Sequence, residues 1–161
     1  MTDASLVAEV LRETLTRMPL ASGYADEQRD LQPHVQRELE ESLQRSFPTA
    51  NLRTTISVGG TGKPNLKLHG TSFWPDVEVT EGTARLAAIE VKLIRPGQPA
   101  SKAIAEAIGQ SMIYCIRNPY VFAFIAHYGR SDARSHDEDA GLEKRLSPYN
   151  IELILRRPDV A

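Results

Sequence analysis

The chain has 161 residues, of which 41% are apolar and 25% are charged, a composition that fits one globular domain and leaves no room for a second of ordinary size. Its formal net charge of −2 excludes a polycation that coats nucleic acid through bulk charge. A single cysteine, Cys115, excludes an internal disulfide framework and a four-cysteine zinc site. We see no signal peptide and no run of roughly 18 apolar residues. We therefore expect a cytoplasmic protein without a membrane partner.

The N-terminal third of the chain has helical periodicity. Residues 3–18 place apolar side chains at three- and four-residue spacings, which predicts a helix with one buried face. The pattern returns over residues 26–47, where Pro33 should confine the regular helix to the residues after it and Pro48 ends the helix. We interpret the first helix as an extra arm outside the core. Its apolar face needs a cover, so a homodimer or a larger complex through this helix is a possible arrangement.

The periodicity changes to strict alternation from residue 52 onward. Residues 52–58 and the pair Leu66 and Leu68 are predicted to form a hairpin through the glycine-rich turn at 59–62. Two further strands are predicted at 73–79 and 84–93, separated by a turn at 80–83.

The second half of the chain alternates helical and strand patterns. Residues 101–117 predict a helix with Ser101 as a candidate N-cap. Its predicted buried stripe consists of Ile104, Ile108, Met112 and Cys115. The remaining predicted elements are a central strand at 120–126, a polar loop at 129–136, a helix at 137–146 and a strand at 151–155. The order of elements predicts one mixed α/β domain with its core at 26–127.

Charged side chains that could form a catalytic or metal site occur on two neighbouring predicted strands. Alternate side chains of a strand share a face, so Glu90 and Lys92 point together, away from the apolar side. Asp76 can meet Glu90 across the hairpin only if an odd-numbered loop or a bulge lies between Val79 and Leu86, because a one-residue slip moves every side chain to the other face.

The three side chains together suit a metal ion. Two carboxylates a few ångströms apart repel each other unless a cation lies between them, and oxygen ligands with water suit Mg²⁺ or Mn²⁺. A lysine beside such an ion can orient a water and stabilise charge on a phosphate, which hydrolysis of a phosphodiester requires.

Pro75-Asp76, followed by Glu90-Val91-Lys92 on the next strand, resembles the PD-(D/E)xK nuclease superfamily. Gln110 and Tyr114, one turn apart on the following helix, resemble the Gln-x-x-x-Tyr motif of its RecB-like branch. The resemblance implies a restriction-endonuclease-like fold: a mixed sheet of about four to five strands flanked by helices, here with an extra N-terminal helix. It also implies a Mg²⁺-dependent nuclease, an endo- or exonuclease in which Mn²⁺ substitutes for Mg²⁺.

The resemblance also implies roles for individual residues. Asp76, Glu90 and the Val91 carbonyl would ligate the metal, Lys92 would handle the attacking water, and Gln110 and Tyr114 would lie beside the site. The family often adds an acid from the first core helix. We choose Glu38, which shares a helix face with buried positions, over its neighbours Glu40 and Glu41.

The charge distribution favours a nucleic-acid partner near this site. Residues 51–102 contain seven basic and four acidic residues, a net charge of +3, whereas the flanking segments are negative. The candidate nucleic-acid contacts are Lys67, His69, Trp74, Arg95 and Tyr114, and we favour DNA over RNA. The alternative is a catalytically silent domain of the same fold that binds nucleic acid or a protein. Its weakness is that such a domain has no physical reason to retain two mutually repelling carboxylates.

Simpler interpretations of the same residues stay open. Asp76 could be a turn residue after proline, Glu90 and Lys92 a solvated strand face, and Gln110 with Tyr114 a polar helix edge. We interpret Glu78 as a surface charge and Cys115 as a core residue. The Gly-rich segment before Lys63 lacks the spacing of a phosphate-binding loop and predicts a turn.

Overall fold

The structure, a computed structural model, describes residues 2–57, 66–129 and 135–158. In chain order the elements are α1 (Ala4–Arg17), a π-helical turn (Glu27–Leu31), α2 (Gln32–Ser46), β1 (Leu52–Ile56), β2 (Leu66–Leu68), β3 (Thr71–Phe73), β4 (Val77–Glu81), β5 (Ala84–Ile94), α3 (Ala100–Tyr114), β6 (Tyr120–His127), α4 (Ser135–Leu146), a 3₁₀ turn (Ser147–Tyr149) and β7 (Ile151–Arg156). The predicted turn at 59–62 and most of the predicted loop at 129–136 lie outside the described residues. No helix within the described ranges has the length and apolarity needed to cross a membrane.

Five strands form one mixed sheet in the order β1-β4-β5-β6-β7. β1, β4 and β5 are antiparallel neighbours, whereas β5, β6 and β7 run parallel. Helix α3 makes the connection between the parallel strands β5 and β6. The predicted α/β class, with helices flanking a mixed sheet, is confirmed. β6 lies inside the sheet and is buried along almost its whole length, as its continuous apolar sequence predicts.

Two strand predictions are wrong. β1 does not pair with β2: it pairs with β4, with Thr54 opposite Val79, while β2 and β3 form a separate two-stranded sheet. The strand predicted at 73–79 is divided, because Trp74, Pro75 and Asp76 separate β3 from β4. Proline lacks the N–H group that a ladder needs. Alternation of apolar and polar residues identifies a strand and its buried face, but it does not identify the neighbouring strand with which it pairs.

Each face of the large sheet carries its own apolar cluster. On one face α1 and α2 pack against the odd-numbered side chains of β5, among them Ile89 and Val91. Val7, Leu11 and Leu15 of α1 are fully buried there. Helix α1 is therefore part of the core and not a separate arm. Because this chain covers the apolar face of α1, that face no longer argues for a second copy.

Helix α3 covers the other face of the sheet and differs from its prediction in two respects. It begins at Ala100 after Pro99, without a side-chain cap, so Ser101 is not its N-cap. Its fully buried residues are Ala107, Ser111 and Tyr114, whereas Met112 of the predicted stripe is exposed and Cys115 is half-buried. Apolar residues lie on more than one side of this helix, so periodicity alone selected the wrong stripe.

A β-bulge determines the register of the β4–β5 hairpin. The turn Gly82-Thr83 closes the hairpin, with Gly82 at φ +60°. Pairing then shifts by one residue, so that Val79 lies opposite Ala87 and Val77 opposite Ile89. Continued by one residue, this register places Asp76 across from Glu90, whereas regular pairing from the turn would place it across from Ile89. The predicted bulge between Val79 and Leu86 is confirmed.

Candidate active site

The site begins where β5 extends past the end of β4. β4 begins at Val77, which pairs with Ile89 of β5. Among the described residues, no strand pairs with β5 beyond Ile89 on the β4 side. The Val91 N–H donates to Asp76 Oδ2 at 2.8 Å, and the Leu93 N–H donates to Glu27 Oε2 at 2.7 Å. Two carboxylates thus accept the hydrogen bonds that a continued strand would accept. The carbonyl of Val91 projects toward the same edge as its N–H, in line with its expected position as a ligand.

Glu90 and Lys92 meet on the α3 side of β5. Lys92 Nζ donates to Glu90 Oε1 at 2.5 Å and lies 3.9 Å from Glu27 Oε1. Glu90 is only 1% exposed. One ammonium group therefore compensates two carboxylates directly, and it also attracts the carboxylate of Asp76. A solvated strand face does not fit this burial.

Helix α3 contributes the two residues of the Gln-x-x-x-Tyr spacing. The Tyr114 hydroxyl donates to the Trp74 carbonyl at 2.7 Å. Burial raises the pKa of Tyr114, the charges of Glu90 and Asp76 raise it further, and the Gln110 side chain opposes this rise. Trp74 is half-buried, and its indole N–H has no partner among the described residues. Trp74 thus contacts the site through its backbone, and its role as a nucleic-acid contact stays a prediction.

The electrostatics of the cluster oppose full ionisation. Burial raises the pKa of Glu90 to about 8, with a further rise from the charge of Asp76, and Lys92 opposes both. Burial likewise raises the pKa of Asp76 to about 6, against the effects of Lys92 and the Val91 N–H. Burial alone would lower the pKa of Lys92, but Glu90 and Asp76 outweigh it and the net shift is upward. Folding therefore favours the protonated forms of Asp76 and Glu90 and the charged form of Lys92.

The residues of the cluster fit a divalent cation chemically. Asp76, Glu90 and Glu27 provide the carboxylate oxygens that Mg²⁺ prefers. Glu90 Oε2 is buried and has no hydrogen-bond partner among the described residues. The Tyr114 hydroxyl donates to the Trp74 carbonyl. No group of three or more His, Cys, Asp or Glu side chains in the described parts is arranged as a metal site. The ammonium of Lys92 occupies the position next to Glu90 Oε1.

The structure does not bring Glu38 to the cluster. Glu38 lies on another side of α2, with its Oε1 3.9 Å from His34 Nδ1, in a groove between α1 and α2. The acid that reaches the cluster is Glu27, eleven residues earlier in the chain. The choice of Glu38 is therefore corrected to Glu27. Glu38 lies in the regular helix α2 on the side that faces α1, whereas Glu27 lies in the π-helical turn before α2 and accepts from the Leu93 N–H at the open edge of β5.

Three of the expected nucleic-acid contacts lie away from the cluster. Lys67 and His69 are exposed on the β2–β3 hairpin, where His69 has φ +45°. Arg95 is exposed in the turn after β5. No described contact joins these side chains to the carboxylates, so their nucleic-acid roles stay predictions.

Besides Glu27, the sequence analysis missed Gln32. Gln32 is 2% exposed, and its side chain acts with Lys92 and the Val91 N–H against the effect of burial on the pKa of Asp76. Asp26 is the N-cap of the π-helical turn, which begins at Glu27 and ends just before Gln32. Its side chain accepts from the Arg29 N–H at 2.8 Å. A capping residue before this segment was the available signal, but capping does not reveal a π-helical turn.

Comparison of the chain with family models, with curated proteins and with solved structures found no match. The function must therefore be inferred from the geometry and chemistry of the site itself.

Proposed function

We propose that this protein is a Mg²⁺-dependent nuclease of the PD-(D/E)xK superfamily that hydrolyses phosphodiester bonds, with DNA as its substrate. One observation carries the proposal: Asp76, Glu90 and Lys92 meet in a buried cluster at the open edge of β5, although the two carboxylates repel each other. Perturbed carboxylates of this kind cluster at functional sites. Packing alone would be served better by apolar side chains of similar volume.

The order of elements supports the assignment to the superfamily. Helix α2, the antiparallel strands β1, β4 and β5, helix α3 and the parallel strand β6 follow the order expected for its core. The β2–β3 hairpin is an insertion between the first two of these strands. Helix α3 contributes Gln110 and Tyr114 to the same cluster, as the RecB-like resemblance implies.

In this proposal the carboxylates and the lysine of the cluster have different roles in hydrolysis. Asp76, Glu90, Glu27 and the Val91 carbonyl would hold Mg²⁺, which lowers the pKa of a bound water and offsets charge on the phosphate. Lys92 Nζ can donate to the attacking water or to a phosphate oxygen. A pocket of about 280 Å³ adjoins Lys92 and Glu27. Lys102 also lines this pocket, so its ammonium can attract the phosphate backbone.

A cleavage assay with a matched pair of variants tests the proposal. Glu90→Gln keeps the volume of a nearly buried side chain and should reduce DNA cleavage in Mg²⁺ at least about 100-fold. Glu78→Gln, on β4, removes a carboxylate that Arg85 pairs at 2.9 Å and should leave cleavage unchanged.

The same assay includes linear and circular DNA, single-stranded DNA and RNA, each with Mg²⁺, Mn²⁺ or EDTA. We expect metal-dependent cleavage of DNA that EDTA stops. Wild-type cleavage that persists in EDTA would contradict the metal mechanism, and equal activity of the two variants would contradict the site. Binding of nucleic acid without any cleavage would favour the catalytically silent alternative.

A further inference from the structure

The β2–β3 hairpin projects from the fold next to the candidate active site. Its two strands pair only with each other, and among the described residues no other helix or strand makes an extensive contact with them. Leu66, at the base, is 7% exposed, and Phe73 packs against the apolar cluster on the α3 side of the large sheet. Residues 67–71 are all exposed, including Leu68 at 38%. The base of the hairpin is therefore anchored, whereas its tip extends into solvent.

The hairpin leads directly into the carboxylate cluster. Two residues separate the end of β3 from Asp76. The Tyr114 hydroxyl ties this short link to α3, because it donates to the Trp74 carbonyl at 2.7 Å. His69, in the turn of the hairpin, precedes Asp76 by seven residues, so the tip lies within about 25 Å of the cluster. A nucleic acid held at the cluster is thus within reach of the hairpin.

The exposed part of the hairpin carries basic and apolar side chains. Residues 57–75 contain two lysines and one histidine but no aspartate or glutamate, in a chain that has 21 acidic residues. The ammonium of Lys67 pairs with no carboxylate among the described residues. Leu68, the next residue, is an exposed apolar side chain. Charge complementarity therefore favours a polyanion that also presents apolar groups.

The dimensions of the hairpin fit the major groove of B-form DNA. This groove is about 12 Å wide and about 8.5 Å deep and admits a two-stranded β-ribbon, whereas the undeformed minor groove is only about 6 Å wide. Strands of three residues are about 10 Å long, which is close to the depth of the major groove. The two-residue turn His69-Gly70, with φ +45° and +82°, keeps the tip narrow. The major groove of an RNA duplex is too deep and narrow for side chains to read.

We propose that the β2–β3 hairpin enters the major groove of a DNA duplex whose scissile phosphate lies at the carboxylate cluster. The inference rests on the proposed function, because it assumes that the cluster binds nucleic acid. Lys67 contacts a backbone phosphate at the edge of the groove, and Leu68 makes apolar contact with base edges inside it, such as the methyl group of thymine. The hairpin thereby selects double-stranded DNA over single strands and over RNA.

Binding measured without cleavage tests this inference. Fluorescence anisotropy in EDTA compares the affinity of the protein for a labelled DNA duplex, for its single strand and for an RNA duplex of the same sequence. We expect the wild-type protein to bind the DNA duplex most tightly. Lys67→Gln should weaken duplex binding and lower the slope of log affinity against log salt concentration by about 1, because one phosphate contact is lost. Leu68→Gln should weaken duplex binding about 5-fold without changing this slope.

Lys144→Gln is the matched control. Lys144 is an exposed lysine of α4, which packs against β7, two strands away from β5. Its replacement removes the same charge from the protein but leaves the hairpin intact. We expect the control to keep the wild-type affinity and salt slope for the DNA duplex.

Equal wild-type affinities for the DNA and RNA duplexes, or equal losses at Lys67 and Lys144, would overturn the groove contact. A loss at Lys67 or Leu68 that is as large for the single strand as for the duplex would also overturn it. Duplex binding that depends on both residues, without any cleavage in Mg²⁺, would support the hairpin contact and contradict the nuclease activity alone. A protein that neither binds nor cleaves nucleic acid would overturn the proposed function together with this inference.

Discussion

The two ends of the β4–β5 hairpin carry acidic residues in opposite electrostatic situations. At the turn end Glu78 pairs with Arg85 at 2.9 Å, and Glu81 accepts from the Thr2 N–H at 2.7 Å and from the Thr2 hydroxyl at 2.9 Å. The hydrogen bonds from Thr2 lower the pKa of Glu81. At the open end, burial raises the pKa of both Asp76 and Glu90.

The two ends differ in whether folding favours or opposes ionisation of their carboxylates. At the turn end the fold favours the ionised form of Glu81. At the open end the fold opposes ionisation, because Glu90 is buried and, in the described parts of the chain, Lys92 is the one cation paired with it. Glu81 and Glu90 are both glutamates, yet their pKa values shift in opposite directions. Burial, and not residue type, therefore causes this contrast. Carboxylates that folding destabilises are expected where a ligand later stabilises them.

The largest expected effect is on the pH dependence of stability without metal. The pKa of Glu90 rises from 4.5 to about 8 on folding, so between these values the folded protein holds a proton that the unfolded chain releases. Stability should therefore fall as pH rises through this window, by about 1.4 kcal/mol per pH unit. From pH 5 to 8, wild type should lose roughly 4 kcal/mol more than Glu90→Gln.

Urea unfolding in EDTA at several pH values measures this difference. Glu78→Gln, at the turn end, should retain the wild-type slope. Parallel pH profiles for wild type and Glu90→Gln would remove the contrast between the two ends.

The second effect concerns the two cations of the hairpin. Lys92→Met should destabilise the metal-free protein by about 3 kcal/mol at pH 7, because it leaves buried carboxylates without a compensating charge. Arg85→Met breaks the more exposed pair and should cost about 1 kcal/mol or less. Denaturant titration of both variants provides the comparison, and equal losses would show that the two ends are energetically alike.

The smallest effect is the response to Mg²⁺. With an assumed dissociation constant of about 1 mM, about 10 mM Mg²⁺ should stabilise wild type by about 1.4 kcal/mol, a rise in melting temperature of roughly 3–6 °C. Asp76→Asn should lose most of this gain, and without metal it should be at least as stable as wild type, because it relieves repulsion with Glu90. Thermal melting at fixed ionic strength measures both. The same Mg²⁺ response in the two proteins would show that Asp76 is not a ligand.

Part of the site was predictable because it depends on local geometry. The alternation of β5 placed Glu90 and Lys92 on one face, and the one-turn spacing placed Gln110 beside Tyr114. The bulge was predictable only by assuming that Asp76 meets Glu90. The acid of the first core helix was not predictable, since Glu27 reaches Lys92 through a π-helical turn that no periodicity signals.

By itself, the sequence determined the α/β class, the approximate positions of most helices and strands, and the pair of charges on β5. Each of these depends on residues that are close together in the chain, where helical or strand periodicity is sufficient. Only the tertiary structure decided that β1 pairs with β4, that α1 belongs to the core, and that Glu27 joins the cluster. These contacts join segments far apart in the chain, and they depend on packing of the whole core, which local periodicity does not specify.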